Sequence, residues 1–144
     1  MTDFTMTPEV KELRQKVKAF MAEHVYPNEP FMLEEGHPPE RQALMKDLQA
    51  RTKGRGMWAP HLPAEAGGMG IGFMTYVYMN EILGRSPMAP MAFGAQAPDS
   101  GNAEILWQFG TEEQKQRWLQ PLVNGEIRSC FSMTEPEVAG SDPT

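Results

Sequence analysis

The chain has 144 residues, 40% hydrophobic and 22% charged, which is ordinary composition for one globular domain with a core. Its net charge of -6 lacks the basic surplus that a nucleic-acid or anionic-membrane surface requires, so small molecules and proteins are the expected partners. The single cysteine, Cys130, excludes an internal disulfide and fits a reducing compartment, so the cytoplasm is the expected location. The amino terminus has no charged-then-apolar signal pattern, Asp3, Glu9 and Glu12 argue against an acid-poor transit peptide, and no apolar run approaches the roughly 20 residues of a membrane span.

Thr7-Pro8-Glu9 predicts a helix start, with a capping hydroxyl, a proline in the first turn and an acid beside it. Val10, Leu13, Val17, Phe20 or Met21, and Val25 then recur at helical spacing until Pro27 and Pro30 end the helix. Pro38-Pro39-Glu40 opens a second helix with Ala43, Leu44, Leu48 and Met45 inward and a solvated basic end at Arg51-Thr52-Lys53 before Gly54. Gly56 to Gly72 is a proline- and glycine-rich loop that embeds Met57, Trp58 and Leu62, the kind of loop that often carries function. Its Gly68-Met69-Gly70-Ile71-Gly72 run follows no strand, so it is not a dinucleotide fingerprint; its glycines are expected to permit tight turning and close packing.

The third predicted helix, Phe73 to Gly84, places Phe73, Tyr76, Val77, Asn80 and Leu83 on one side. Ser86 to Pro98, with three prolines and small residues, reads as an irregular connection or short broken helices, and a fourth helix from about Ser100 to Phe109 has Ile105, Leu106 and Phe109 as its apolar residues. Thr111-Glu112-Glu113-Gln114 is a capping box that starts a fifth helix, with Trp118, Leu119, Leu122 and Val123 apolar, Pro121 as a kink and Gly125 as the end. From Ile127 to Thr134 the residues alternate as a strand does, and Pro136 stops it. No second strand is in sight to pair with it, so this end is expected either to fray or to join two chains.

His24, His37 and His61 have no neighbours at metal-ligand spacing, so no metal site is expected and each reads as exposed or simply hydrogen-bonded. Cys130 has no histidine at hand and reads as a small packed thiol, and Glu135 and Glu137 read as solvated turn charges.

The stretch Phe131-Ser132-Met133-Thr134-Glu135-Pro136, followed by Gly140-Ser141-Asp142, resembles the flavin-binding signature of the acyl-CoA dehydrogenase family. Three earlier stretches resemble that family's amino-terminal helical domain in the same order: Gly56-Met57-Trp58-Ala59-Pro60 through Gly70, Asn80-Glu81-Ile82-Leu83-Gly84-Arg85, and Gly110-Thr111-Glu112-Glu113-Gln114-Lys115 through Gly125-Glu126. The resemblance implies FAD as cofactor, with Phe131, Ser132, Met133 and the Thr134 hydroxyl against the isoalloxazine ring, where fixed donors stabilise its reduced form. Ser141 matches a family serine that helps hold the acyl-CoA, and it is grouped with the cofactor contacts as well. The turn from Pro136 to Ser141 is one residue longer than in the common Thr-Glu-Pro-Gly-Ala-Gly-Ser-Asp form and shares the Glu-Pro-x-Val-Ala spacing of a branch linked to longer-chain substrates. The twelve methionines read first as adaptable core filling and second as a plastic wall for a flexible acyl chain.

The expected fold class is therefore all-α: residues 1–126 form a bundle-like domain of about five helices, and residues 127–144 supply a single terminal β-strand and the flavin-binding turn of a β-barrel domain that is missing here. The family's general base, a glutamate, lies in a further carboxyl-terminal helical domain, so no catalytic residue is assigned in this chain. The resemblance implies a homotetramer of the fatty-acid β-oxidation type that converts acyl-CoA to trans-2-enoyl-CoA and passes electrons to an electron-transfer flavoprotein. The chain alone would be inactive. An acyl-CoA oxidase with the same signature and a self-standing, non-catalytic helical interaction domain are the alternatives.

Overall fold

The computed structural model describes residues 4–34, 36, 39–134 and 136–137, and within them every regular element is helical. Helix α1 (Pro8–Phe20) begins as expected, the Thr7 hydroxyl accepting a hydrogen bond from the Val10 amide at 3.4 Å. It does not stop at the prolines. The chain passes through a wide π turn, Met21–Val25, and a 3₁₀ turn, Tyr26–Asn28, into α2 (Glu29–Leu33). The last wide bond runs from the Tyr26 amide to the Met21 carbonyl, immediately before Pro27. Proline has no N–H to donate and its ring crowds the carbonyl four residues back, so a widened turn ahead of it lets the helix continue. Pro30 sits in the first turn of α2, where its missing N–H leaves no intrahelical bond unmade.

The same device recurs near the carboxyl end. The capping box at Thr111 and Gln114 forms in both directions, at 2.8 and 3.2 Å, and starts α7 (Glu112–Gln114). A π turn, Lys115–Leu119, then precedes Pro121 in α8 (Gln120–Asn124), the Gln120 amide reaching back to the Lys115 carbonyl. Gly125, with φ of 74°, closes that helix in the left-handed region.

The remaining helices are α3 (Pro39–Gly54), α4 (Gly72–Leu83), α5 (Ala89–Ala92) and α6 (Asp99–Phe109). One core cluster gathers Val17 and Phe20 of α1, Met45 and Leu48 of α3, Ile82 and Leu83 of α4 and Phe93 after α5. Phe20 and Phe93 meet edge to face at 5.2 Å between centroids. A second cluster joins Leu62 and Ala66 of the Gly56–Gly72 loop to Ala103 of α6 and Leu119, Leu122 and Val123. That loop is rigid packing: a Cβ on Gly68 would stand 2.3 Å from the Leu62 carbonyl oxygen. Lys53 and Trp58 tie the two halves together by donating to the last carbonyls of α8, Lys53 Nζ to Asn124 at 2.6 Å and Trp58 Nε1 to Val123 at 2.7 Å.

Several helix faces differ from the sequence reading. On α3, Ala43 is exposed, whereas Thr52, read as part of a solvated end, is fully buried; its hydroxyl lies 2.6 Å from the Ala92 carbonyl of α5 and within bonding distance of Leu48 and Gln49 carbonyls. On α4 the buried residues are Met79, Ile82 and Leu83, while Phe73 is 76% exposed and Val77 and Asn80 also face outward. On α6 Ala103 is buried and Ile105 and Phe109 are exposed, Phe109 by 79%. Both helices carry apolar residues around most of their circumference, so periodicity alone had no single face to select.

The strand expected over 127–134 is absent from the described residues. A strand needs a neighbour to accept its N–H groups, and the surrounding elements are all helices. The base of the segment, residues 128–130, is instead tied by hydrogen bonds to α6, as described next.

Candidate functional site

A cavity of about 720 Å³ opens between α3, the segment leading into α6, the Trp58–Leu62 loop and the end of α8. Its apolar wall includes Met45, Met91, Leu62, Ala103, Leu122 and Val123. That volume suits a small-molecule ligand. Gly94 makes one wall possible: its φ is +67°, and a Cβ there would lie 2.6 Å from the Trp58 ring.

Polar atoms are set into this wall. His61 lines the cavity, both ring nitrogens are buried, and among the described residues neither has a hydrogen-bond partner. Burial lowers its pKa to about 4, so the ring is neutral at pH 7. The sequence reading of His61 as exposed or hydrogen-bonded is thus corrected, and His37 lies outside the described residues. Gln96 also lines the cavity; its Nε2 donates to Asp99 at 2.6 Å while its Oε1 is buried without a partner among the described residues.

Asp99, the first residue of α6, is 7% exposed and gathers four donors. Oδ1 accepts from the Ser129 amide at 2.8 Å and the Ser129 hydroxyl at 2.7 Å; Oδ2 accepts from Gln96 and, at 2.7 Å, from Arg128 Nε. Burial by itself would raise the pKa of this carboxyl, but the hydrogen bonds from Ser129 and Gln96 and the Arg128 charge outweigh it and hold the value below the ordinary one. One turn along α6, Asn102 Nδ2 donates to Ser129 Oγ at 2.9 Å and to the Cys130 carbonyl at 3.3 Å. Cys130 itself is exposed, not packed.

The residues singled out from sequence follow directly. Phe131, Ser132, Met133 and Thr134 are contiguous, exposed and non-helical, and among the described residues their amides donate to no one. Free donors on an irregular backbone, flanked by the exposed apolar side chains of Phe131 and Met133, fit the polar edge and flat face of a heteroaromatic ring. Ser141, with Glu135, Gly140 and Asp142, lies outside the described residues. His61, Gln96 and Asp99 were missed in the sequence; a lone loop histidine and a first-turn aspartate carry no local signal of their surroundings. Among the described residues no three His, Cys, Asp or Glu side chains converge as a metal site, and no helix is long and apolar enough to cross a membrane.

The family model for the acyl-CoA dehydrogenase amino-terminal domain matches residues 7–126. The chain belongs to the acyl-CoA dehydrogenase family. It is 41% identical to acyl-CoA dehydrogenase family member 10 of Mus musculus over 145 residues, covering 95% of this chain and 14% of that protein. It is also 41% identical over 151 residues to FadE2 of Mycobacterium tuberculosis, a protein assigned to the acyl-CoA dehydrogenases, covering 97% of this chain and 35% of that one. Among solved structures, a Mycobacterium abscessus protein assigned as an acyl-CoA dehydrogenase superposes with a TM-score of 0.83 at 36% identity, over 96% of this chain and 37% of that one. The chain therefore spans well under half the length of these relatives. The all-helical architecture expected of this family's amino-terminal domain is the one observed.

Proposed function

We propose that this chain is the amino-terminal part of a FAD-dependent acyl-CoA dehydrogenase that converts acyl-CoA thioesters to trans-2-enoyl-CoA. The observation that carries the reading is the continuity of the family match over residues 7–126 with the segment that resembles the flavin signature, whose base is anchored at the wall of the cavity. In this reading residues 1–126 are the helical domain and residues 127–144 enter a barrel domain. The outward apolar faces of α4 and α6 support it, since they are surfaces a further domain would cover.

The chain's own residues have defined tasks. Thr134 and the amides of Phe131 to Met133 hold the ring's polar edge, and Ser141 helps hold the thioester and cofactor. Met32, Met45 and Met91 in the cavity wall adapt to the shape of the acyl chain. Bound FAD supplies the acceptor for a hydride from the acyl β-carbon. The base that removes the α-proton belongs to a domain beyond this chain. The complete enzyme would be a cytoplasmic homotetramer of fatty-acid metabolism that hands its electrons to an electron-transfer flavoprotein.

Product analysis tests this reading. The complete enzyme, incubated with saturated acyl-CoA and either electron-transfer flavoprotein or oxygen, should release trans-2-enoyl-CoA only with the flavoprotein. Equal turnover with oxygen would make it an oxidase, and no enoyl product with either acceptor would contradict the reading.

A further inference from the structure

The carboxylate of Asp99 stands where two parts of the proposed site meet. It lines the cavity, as do Ile127 and Arg128, and it also accepts from the Ser129 amide and hydroxyl and from Arg128. Asn102 adds two more bonds from the same helix, to Ser129 and Cys130. Three consecutive residues, Arg128 to Cys130, are thus strapped to the first turn of α6, and Phe131 follows immediately with no bond of its own among the described residues. Among the described residues, the bonds to Asp99 and Asn102 are the hydrogen bonds and ion pairs that hold residues 128–134 to the helical domain.

We propose that Asp99 is the positioning residue of the flavin site: it clamps Arg128 and Ser129 so that Phe131 to Thr134 are presented beside the cavity in the geometry the ring requires. The inference rests on the proposed function and deepens it. Asp99 touches neither ring nor thioester; it acts through Ser129. A carboxylate suits the task because its two oxygens accept several donors from different directions at once, which neither an amide nor a hydroxyl does. Its burial keeps those bonds from being exchanged for water. Because the helix that carries Asp99 also carries Ala103 of the cavity wall, one rigid element sets both the acyl cavity and the start of the flavin segment.

The test compares Asp99→Ala, Asp99→Asn and Thr134→Val. In the 144-residue chain, hydrogen exchange at the Ser129 amide should quicken about tenfold or more in Asp99→Ala, the equivalent of one charge-assisted hydrogen bond, and less in Asp99→Asn, which keeps one acceptor. In the complete holoenzyme, Asp99→Ala should weaken FAD binding about tenfold and alter the visible circular dichroism of bound flavin, which reports how the ring is seated, with Asp99→Asn again intermediate. Unchanged exchange at Ser129 would overturn the clamp. Faster exchange with unchanged flavin affinity and dichroism, while Thr134→Val impairs both, would overturn the positioning role and leave the flavin site standing. A wild-type enzyme without flavin, or one indifferent to Thr134→Val as well, would overturn the site and the inference with it.

Discussion

His61 is a neutral imidazole set in the wall of a cavity, and its burial has a measurable consequence. The unfolded chain takes up the imidazole proton near the ordinary histidine pKa and the folded chain only near 4. Between those values the unfolded state binds more protons, so stability falls as pH drops from about 6.5 toward 4, by about 2 kcal/mol at pH 5 for this group, and levels off below. His61→Phe should remove that part of the slope, read from urea unfolding at pH 7 and pH 5. Equal slopes in the two proteins would show that His61 is solvated or paired. None of this was legible in the sequence, because burial of a loop residue is decided by what packs over it. Thr134, by contrast, is proposed from its neighbours in the chain, because the resemblance rests on a continuous signature.

At the scale of elements, caps and boundaries were the readable part. Thr7, the Thr111–Gln114 box and Gly125 do in the structure what their residue types dictate. The faces of α4 and α6 were not readable, because Phe73, Val77, Ile105 and Phe109 compete with Met79, Ile82 and Ala103 for the core and lose for reasons of tertiary geometry. Pro27 and Pro30 were misread as an end because a wide turn ahead of a proline leaves no local signature. Thr52 shows how two elements are joined through a single hydroxyl, α3 to α5 across 2.6 Å. Thr52→Val keeps the shape but leaves the Ala92 carbonyl without this donor, and should cost about 1–3 kcal/mol in chemical denaturation. A loss below about 0.5 kcal/mol would mean that the α3–α5 contact is held by apolar packing alone.

For the whole molecule, the apolar residues left outward on α4 and α6 set an expectation for the chain on its own. Phe73, Met74 and Val77 form one exposed stripe, with Ile105 and Phe109 on a second helix. Alone, the 144-residue chain should self-associate in sedimentation experiments as its concentration rises, and the double variant Phe73→Ser, Phe109→Ser should do so less. A chain that stays monomeric at high concentration would show that these faces need no cover. The chain alone should also purify without stoichiometric flavin, because the resemblance puts most of the cofactor's contacts in the barrel domain and a neighbouring subunit.

The central claim is that the segment anchored by Asp99 belongs to a flavin site that oxidises acyl-CoA. The most direct measurement is an anaerobic titration of the complete purified enzyme with a saturated acyl-CoA, followed through its visible absorbance. The account predicts a protein that purifies with a flavin spectrum and loses its visible flavin absorbance stoichiometrically as substrate reduces the ring. A colourless protein, or a flavin spectrum that acyl-CoA leaves unchanged, would contradict it.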